Sequence, residues 1–237
     1  MATAKAVYNS KAVCPICNSN IEYTKVRSKA IKLIEQDSDF CPYYEGENPL
    51  FYEAVICPEC GYGSHVTSFS NINKYEKEKV RNNITTKWHK RSFTGERTID
   101  QALEAFKIVL LNLNDMDAPK SEIAKICMRI AWLYRYKQEP EAESKFLEYA
   151  LNSYKEAYSQ EDLTNEGKLD EYTCLYIMGD LCRRLALYDE SVKWMSRLIM
   201  SYSDPQQKPK IPQRLIESAR DLYLEIKDLV AAAKEEG

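Results

Sequence analysis

The sequence is poor in histidine and has no long apolar run. Its two histidines, His65 and His89, do not lie beside a serine or cysteine in a pattern that indicates a nucleophile and its base. The N-terminus lacks the apolar stretch of a secretory signal, and no apolar segment is long enough to cross a bilayer. From these absences we expect a cytoplasmic protein that has no membrane-spanning segment.

Charge of one sign does not dominate the chain either. It has 33 Lys and Arg against 36 Asp and Glu, a net charge of −3, which argues against a protein that coats nucleic acid along its whole length. Residues 1–97 carry 14 basic against 11 acidic residues, whereas residues 98–237 carry 19 against 25. The acidic second part is therefore a poor candidate for phosphate binding.

Cysteine is plentiful, and four of the eight cysteines form two matched pairs, Cys14-Pro15-Ile16-Cys17 and Cys57-Pro58-Glu59-Cys60. In a reducing compartment such pairs are better interpreted as thiolate ligands than as disulfides. Two turns that each present two sulfurs complete a tetrahedron, so the pattern predicts a metal site made by all four cysteines. We expect Zn²⁺, with iron as the alternative on overproduction. We favour a metal site over a redox-active dithiol, because thioredoxin-type pairs occur singly beside a strand-helix-strand pattern, and this sequence has two pairs and no such pattern.

The surroundings of the pairs resemble the knuckles of a zinc ribbon, with proline after the first cysteine and Gly61 after the second pair. Asn18 stands at the position of Gly61 in the first pair and also tolerates a left-handed backbone. The 39 residues between the pairs exceed the usual roughly 15–20, which predicts a long insert. Cys41 or His65 could instead replace one of the four ligands or form a second, partial site, but the two matched pairs argue against both. The acids around Cys41 should raise its pKa, which favours a packed thiol over a nucleophile.

The insert contains two candidate binding features. Residues 21–29 are predicted to form a strand with Lys25, Arg27 and Lys29 on one face, which is either a solvated face or a contact for phosphates or an acidic protein surface. Residues 43–52 combine aromatic and acidic side chains, either as a cup for a cationic group or basic peptide or, as we favour, as a loop folded over a thin core. Residues 51–56 are predicted to form the strand that leads to the second knuckle.

Residues 74–97 interleave basic side chains with Trp88, which makes this segment the best nucleic-acid candidate in the chain. The acidic residues at helical spacing favour a solvated connecting helix instead. The basic residues are Lys74, Lys77, Lys79, Arg81, Lys87, Lys90, Arg91 and Arg97.

The remainder has the apolar periodicity of amphipathic helices. Helices are predicted over 99–113, 120–137, 140–159, 168–187, 189–203 and 211–233, with breaks at 112–115, 138–140, 165–167, 188–189 and 204–205. A small residue recurs with a large one four positions later at Ala102 and Phe106, Ala150 and Tyr154, and Ser191 and Met195. This pattern resembles the second helix of a tetratricopeptide repeat and indicates packed helix pairs. Such arrays hold a peptide or protein on a concave face, or serve as a compact body or dimer surface.

The two knuckles, the stretch from Asp37 to Cys41, the aromatic stretch 43–52 and the helical remainder together resemble the bacterial family called domain of unknown function 2225. The resemblance implies a cytosolic protein with a zinc-ribbon-like front and a tetratricopeptide-like back, and it implies no established activity. We therefore expect an α+β, mostly α fold.

Three parts are predicted: a metal-binding domain over 1–73, a basic connecting segment over 74–97, and a helical domain over 98–237. As its function we expect a zinc-binding adaptor without catalysis that binds a protein partner, or itself, through the helical array. The alternative is a nucleic-acid-binding regulator that uses the zinc ribbon and the basic segment.

Overall fold

A computed structural model describes residues 5–163 and 169–235 of the chain. The strands are β1 (Val7–Val13), β2 (Asn20–Val26), β3 (Ile31–Gln36), β4 (Pro42–Gly46), β5 (Ala54–Ile56) and β6 (Gly63–His65). The helices are α1 (Lys74–Lys79), α2 (Ile99–Asp115), α3 (Lys120–Tyr136), α4 (Pro140–Gln160), α5 (Glu171–Arg184), α6 (Tyr188–Ser203) and α7 (Gln213–Glu235). The predicted α+β, mostly α fold is confirmed.

The strands form three separate antiparallel hairpins, β1 with β2, β3 with β4, and β5 with β6. Val13 pairs with Asn20 and Ile56 with Gly63, so each cysteine knuckle is the turn of a hairpin. The hairpin of β3 and β4 belongs to the long insert between the knuckles. Two hairpin turns thus carry the four paired cysteines, as a zinc ribbon requires.

Two predicted strands are shorter than expected. The strand predicted over 21–29 ends at Val26, and Ser28–Ala30 form a 3₁₀ turn, so Lys29 does not share a strand face with Lys25. The strand predicted from residue 51 begins at Ala54, because Asn48 caps a 3₁₀ turn over Pro49–Tyr52.

The solvated connecting helix predicted over 74–97 is present only as α1, which has no buried residue. Only α1 is a regular helix; Val80–Ile84 form a π turn and Thr85–Lys87 a 3₁₀ turn. Val80 and Ile84 are buried, and Trp88 packs against the core. The segment therefore contributes apolar side chains to the fold.

All six predicted long helices are present, with ends that differ from the predictions by at most three residues among those described. The predicted break over 112–115 lies inside α2, where Asn112 is buried. The turn comes later, where Asp117 adopts φ +52°. The predicted break at 165–167 and the predicted start at residue 168 lie outside the described residues.

The small and large residues that recur in the helices are buried where neighbouring helices meet. Gly179 on α5 lies so close to α6 that a Cβ at that position would be 2.7 Å from the Cε atom of Met195. The Ser191 hydroxyl donates a hydrogen bond of 2.6 Å to the Gly179 carbonyl. Small residues thus allow α5 and α6 to approach closely, as the sequence pattern indicates.

Helices α3 and α5 hold the insert on one side of the array. The Tyr43 and Phe51 rings lie 5.6 and 6.5 Å from the ring of Tyr136 on α3, measured between centroids. Phe40 lies 5.5 Å from Tyr176 on α5. The aromatic loop is therefore folded over the core, which is the alternative that we favoured.

Buried residues of the front and of the helices form one continuous core. The division of the chain into domains at residues 73 and 97 stays a prediction. None of the helices within the described ranges combines the length and the apolar character that crossing a bilayer demands.

Candidate metal centre

The two cysteine knuckles have the same backbone hydrogen bonds. The Asn18 amide donates to the Cys14 carbonyl at 2.9 Å, and the Gly61 amide donates to the Cys57 carbonyl at 3.0 Å. One residue further, Ser19 and Tyr62 accept hydrogen bonds from the amides of Cys14 and Cys57 at 3.0 and 2.8 Å. Each turn is thereby closed around its own pair of sulfurs.

Both turns depend on a left-handed residue after the second cysteine. Asn18 has φ +61° and Gly61 has φ +75°, so asparagine takes the role that we predicted for it. Glycine at position 61 has a second cause, because a Cβ there would lie 2.5 Å from Cδ2 of Trp88. The indole thus packs directly on the backbone of the second knuckle.

The four sulfurs converge on one point. The Sγ atoms of Cys14, Cys17, Cys57 and Cys60 all lie within 4.8 Å of one another. The Sγ of Cys14 is 3.6 Å from that of Cys60, and the Sγ of Cys17 is 3.6 Å from that of Cys57. When four thiolates surround a single Zn²⁺ as a tetrahedron, with each sulfur about 2.3 Å from the ion, neighbouring sulfurs lie about 3.8 Å apart. The donor set and its spacing therefore fit a tetrahedral metal ion.

Exposure differs among the four cysteines. Cys14, Cys57 and Cys60 are buried, whereas Cys17 is exposed. Hydrogen bonds from the thiols of Cys57 and Cys60 lower the pKa of Cys14 to about 4. Hydrogen bonding to Cys14 raises the pKa of Cys57 and that of Cys60. The cluster thus favours one thiolate when no cation is present, and a cation at its centre would allow the others to ionise.

Residues 81–88 brace both knuckles through backbone carbonyls. Nη2 of Arg81 donates to the Ile16 carbonyl at 2.9 Å, and Oγ1 of Thr85 donates to the Cys60 carbonyl at 3.1 Å. Nε1 of Trp88 donates to the Pro58 carbonyl at 2.8 Å. Sequence reasoning missed this role, although the spacing of Val80, Ile84 and Trp88 is a signal for one buried face.

Cys41 and His65 do not belong to the sulfur cluster. Burial raises the pKa of the Cys41 thiol to about 12, and the neighbouring Asp39 and Asp37 raise it less. The prediction of a packed thiol with a raised pKa holds, but burial is the larger cause.

His65 lies against Glu53. Its Nδ1 lies 2.7 Å from Oγ1 of Thr67 and 3.3 Å from the Thr67 amide, and its Nε2 lies 3.4 Å from Oε2 of Glu53. The imidazole is therefore engaged at both nitrogens.

A buried charged cluster, which sequence reasoning did not find, joins the insert to the array. The Asp39 carboxylate accepts from Nε1 of Trp132 at 3.1 Å and from Nη2 of Arg135 at 2.7 Å. Nη2 of Arg184 lies 3.3 Å from the same carboxylate. Nearby, Ser38 donates to the buried carboxylate of Asp180 at 2.8 Å. The cluster fixes the insert to α3 and α5.

The model of one protein family, described as "Uncharacterized protein conserved in bacteria (DUF2225)", matches residues 7–226 of the chain. No curated protein and no solved structure matches the chain.

Proposed function

The chain belongs to the bacterial family DUF2225, and we propose that it is a cytosolic zinc-binding adaptor that binds a protein partner through its helical array and performs no catalysis. The observation that carries the proposal is the convergence of four cysteine sulfurs from two matched hairpin turns. The family match supports a bacterial protein, and the description of the family names no activity.

The choice of zinc is supported by the donor set. Four thiolates in a tetrahedron are the ligands of structural zinc sites, in which no coordination position is left for substrate. In this chain the zinc would hold together two hairpins, one of seven and one of three residue pairs, and an isolated two-stranded hairpin is only marginally stable. Zinc bound by Cys14, Cys17, Cys57 and Cys60 thus has a structural task.

The absence of catalysis is supported by the state of the groups that catalysis would use. Cys41 is fully buried, and burial raises the pKa of its thiol to about 12, so it is a thiol rather than a nucleophilic thiolate at neutral pH. His65 has both ring nitrogens engaged, by Thr67 and by Glu53. Neither group is available as the base or nucleophile of a reaction.

The binding of a partner is supported by large apolar side chains that the helices leave exposed. The insert already covers part of α3 and α5, so a partner would contact other faces of the array. Met200 on α6 and Leu224 on α7 have 67% and 61% of their surface exposed. A second copy of the chain would be one such partner.

The adaptor proposal is tested by affinity capture from the native host with the wild-type chain, a Met200→Glu and Leu224→Glu double variant, and a Lys107→Glu control at an exposed position of α2. We expect a stoichiometric partner that the control retains and the double variant loses. Capture that is the same for all three chains, or no specific capture, would refute binding through these two side chains.

The alternative, a nucleic-acid-binding regulator, has less support. Five of the eight basic side chains in residues 74–97 already contact other parts of the chain, namely Lys79, Arg81, Lys90, Arg91 and Arg97. Trp88 packs on Gly61 rather than standing free to stack on a base. A salt-sensitive gel shift with single- or double-stranded nucleic acid would favour this alternative.

A further inference from the structure

A cavity of about 520 Å³ lies between the insert and the helical array, away from the cysteine knuckles. Its volume is in the range of small-molecule sites, and such sites occur preferentially where two parts of a fold meet. The apolar part of its wall comes from both sides, with Phe40 and Leu50 from the insert and Ile126, Trp132 and Ile177 from α3 and α5.

Arg129 places a cation in the cavity wall, and only two of its three nitrogens donate hydrogen bonds to described residues. Its Nε donates to Oε2 of Glu53 at 3.0 Å, and its Nη1 is 3.4 Å from the Lys125 carbonyl. Nη2 has no hydrogen-bond partner among the described residues. The guanidinium lies over the Trp132 ring, 5.4 Å from its centroid, and the side chain is only 23% exposed. A half-buried guanidinium with free donors recognises a carboxylate or a similar anion.

Two of the three acids that line the cavity, Glu53 and Asp39, form ion pairs. Glu53 is bound by Arg129 and lies 3.4 Å from His65. Burial alone would raise the pKa of Glu53, but the hydrogen bond from His65 and the charge of Arg129 lower it, so the carboxylate is ionised and paired. Asp39 is bound by Arg135. Glu122 and Lys125 line both this cavity and a smaller one of about 260 Å³.

The ring of Tyr154, whose side chain is 2% exposed, also lines the cavity and adds to its apolar wall.

We propose that this cavity binds an amphipathic organic anion, with an apolar ring or branched body between Phe40, Trp132 and Ile177 and a single carboxylate or sulfonate on Arg129. The site is separate from the metal centre and does not depend on the adaptor role. It gives the chain a small-molecule ligand in addition to its metal.

The proposal is tested on the zinc-loaded, full-length protein with two dyes that share one ring system. The anionic probe is 1-anilinonaphthalene-8-sulfonate, and the neutral probe is N-phenyl-1-naphthylamine, which lacks the sulfonate. We expect saturable binding of the anionic dye at one site per chain, at least about tenfold tighter than that of the neutral dye. Equal affinities for the two dyes, or many weak sites, would overturn the proposal without any variant.

Two variants locate the site. Arg129→Gln should weaken the anionic dye by about tenfold, to the level of the neutral dye, and leave the neutral dye unchanged. Arg220→Gln is the matched control, because the Arg220 guanidinium also lies 5.4 Å from the centroid of an aromatic ring, that of Tyr202, but does not line the cavity. Arg129→Met, which also removes the charge but keeps an unbranched apolar side chain over Trp132, replaces Arg129→Gln if the latter unfolds at a lower temperature. An unchanged preference for the anionic dye in a folded Arg129 variant, or an equal loss in Arg220→Gln, would refute the assignment.

Discussion

Asp39→Asn should destabilise the protein far more than its size suggests, because it removes a buried charge from between two arginines. The Asp39 side chain is fully buried, while the side chains of Arg135 and Arg184 are 13% and 19% exposed. Burial alone would raise the pKa of Asp39, but the hydrogen bond from Arg135 and the charges of Arg184 and Arg135 lower it below its ordinary value. The carboxylate is therefore ionised in the folded protein, and its loss leaves buried positive charge.

The magnitude follows from what stays behind. Breaking a buried ion pair from one side costs about 3–5 kcal/mol, since the remaining charge is uncompensated. Arg135 keeps Asp37 at 2.6 Å and Glu143 at 2.7 Å, and asparagine keeps one acceptor, so the lower end applies. We expect a loss of about 3 kcal/mol in the free energy of unfolding. For a chain of this size that corresponds to a fall of about 6–12 °C in the unfolding temperature.

The measurement is urea unfolding of the zinc-loaded protein at neutral pH, with Asp100→Asn as the control. Asp100 pairs with Lys137 at 2.8 Å, but its side chain is 76% exposed, so its variant should unfold close to the wild-type midpoint. Since the folded-state pKa of Asp39 is lowered, its contribution is present above the ordinary Asp pKa of about 4 and is lost as the pH falls through the folded value. The gap between wild type and Asp39→Asn should therefore be constant from pH 7 to pH 5. A change equal to that of the control would refute the assigned role of the cluster.

Two further changes probe the knuckles and the thiols. Gly61→Ala should lower the free energy of unfolding by about 3 kcal/mol, because it combines a left-handed backbone with a collision against Trp88. The control Gly46→Ala, at φ +83° with no atom within 4 Å, should lower it by about 1 kcal/mol. Equal urea midpoints for the two variants would contradict the packing of Trp88. In the folded protein without chelator, iodoacetamide at pH 8 should leave Cys41 unmodified, since burial raises the pKa of Cys41 to about 12, and should label it only in urea. Peptide mass mapping that finds Cys41 labelled in folded protein would show that the thiol is accessible.

The sequence predicted the parts of this fold that short-range patterns determine. Apolar periodicity located the long helices, and turn chemistry located both knuckles, including the left-handed backbone at Asn18. These features depend on residues within a few positions of one another. They can be found without knowing which segments meet in the folded chain.

Contacts between segments that are distant in the chain could not be predicted from the sequence. Asp39 and Arg135 are 96 positions apart, so the acids beside Cys41 were visible but their partners were not. The bracing of the second knuckle by Trp88 was missed for the same reason, and its basic neighbours favoured a solvated helix instead. Likewise, the cavity exists only because the insert folds back on α3 and α5, which no local pattern indicates.

The central claim is that the four converging sulfurs hold one structural zinc ion. The most direct test is native mass spectrometry of the protein purified from its own host without a chelator, beside a Cys57→Ser variant and a Cys41→Ser control. The account predicts one zinc per chain in the wild type and in Cys41→Ser, and its loss in Cys57→Ser. A folded wild-type chain without zinc, with the paired thiols oxidised to disulfides, would contradict it.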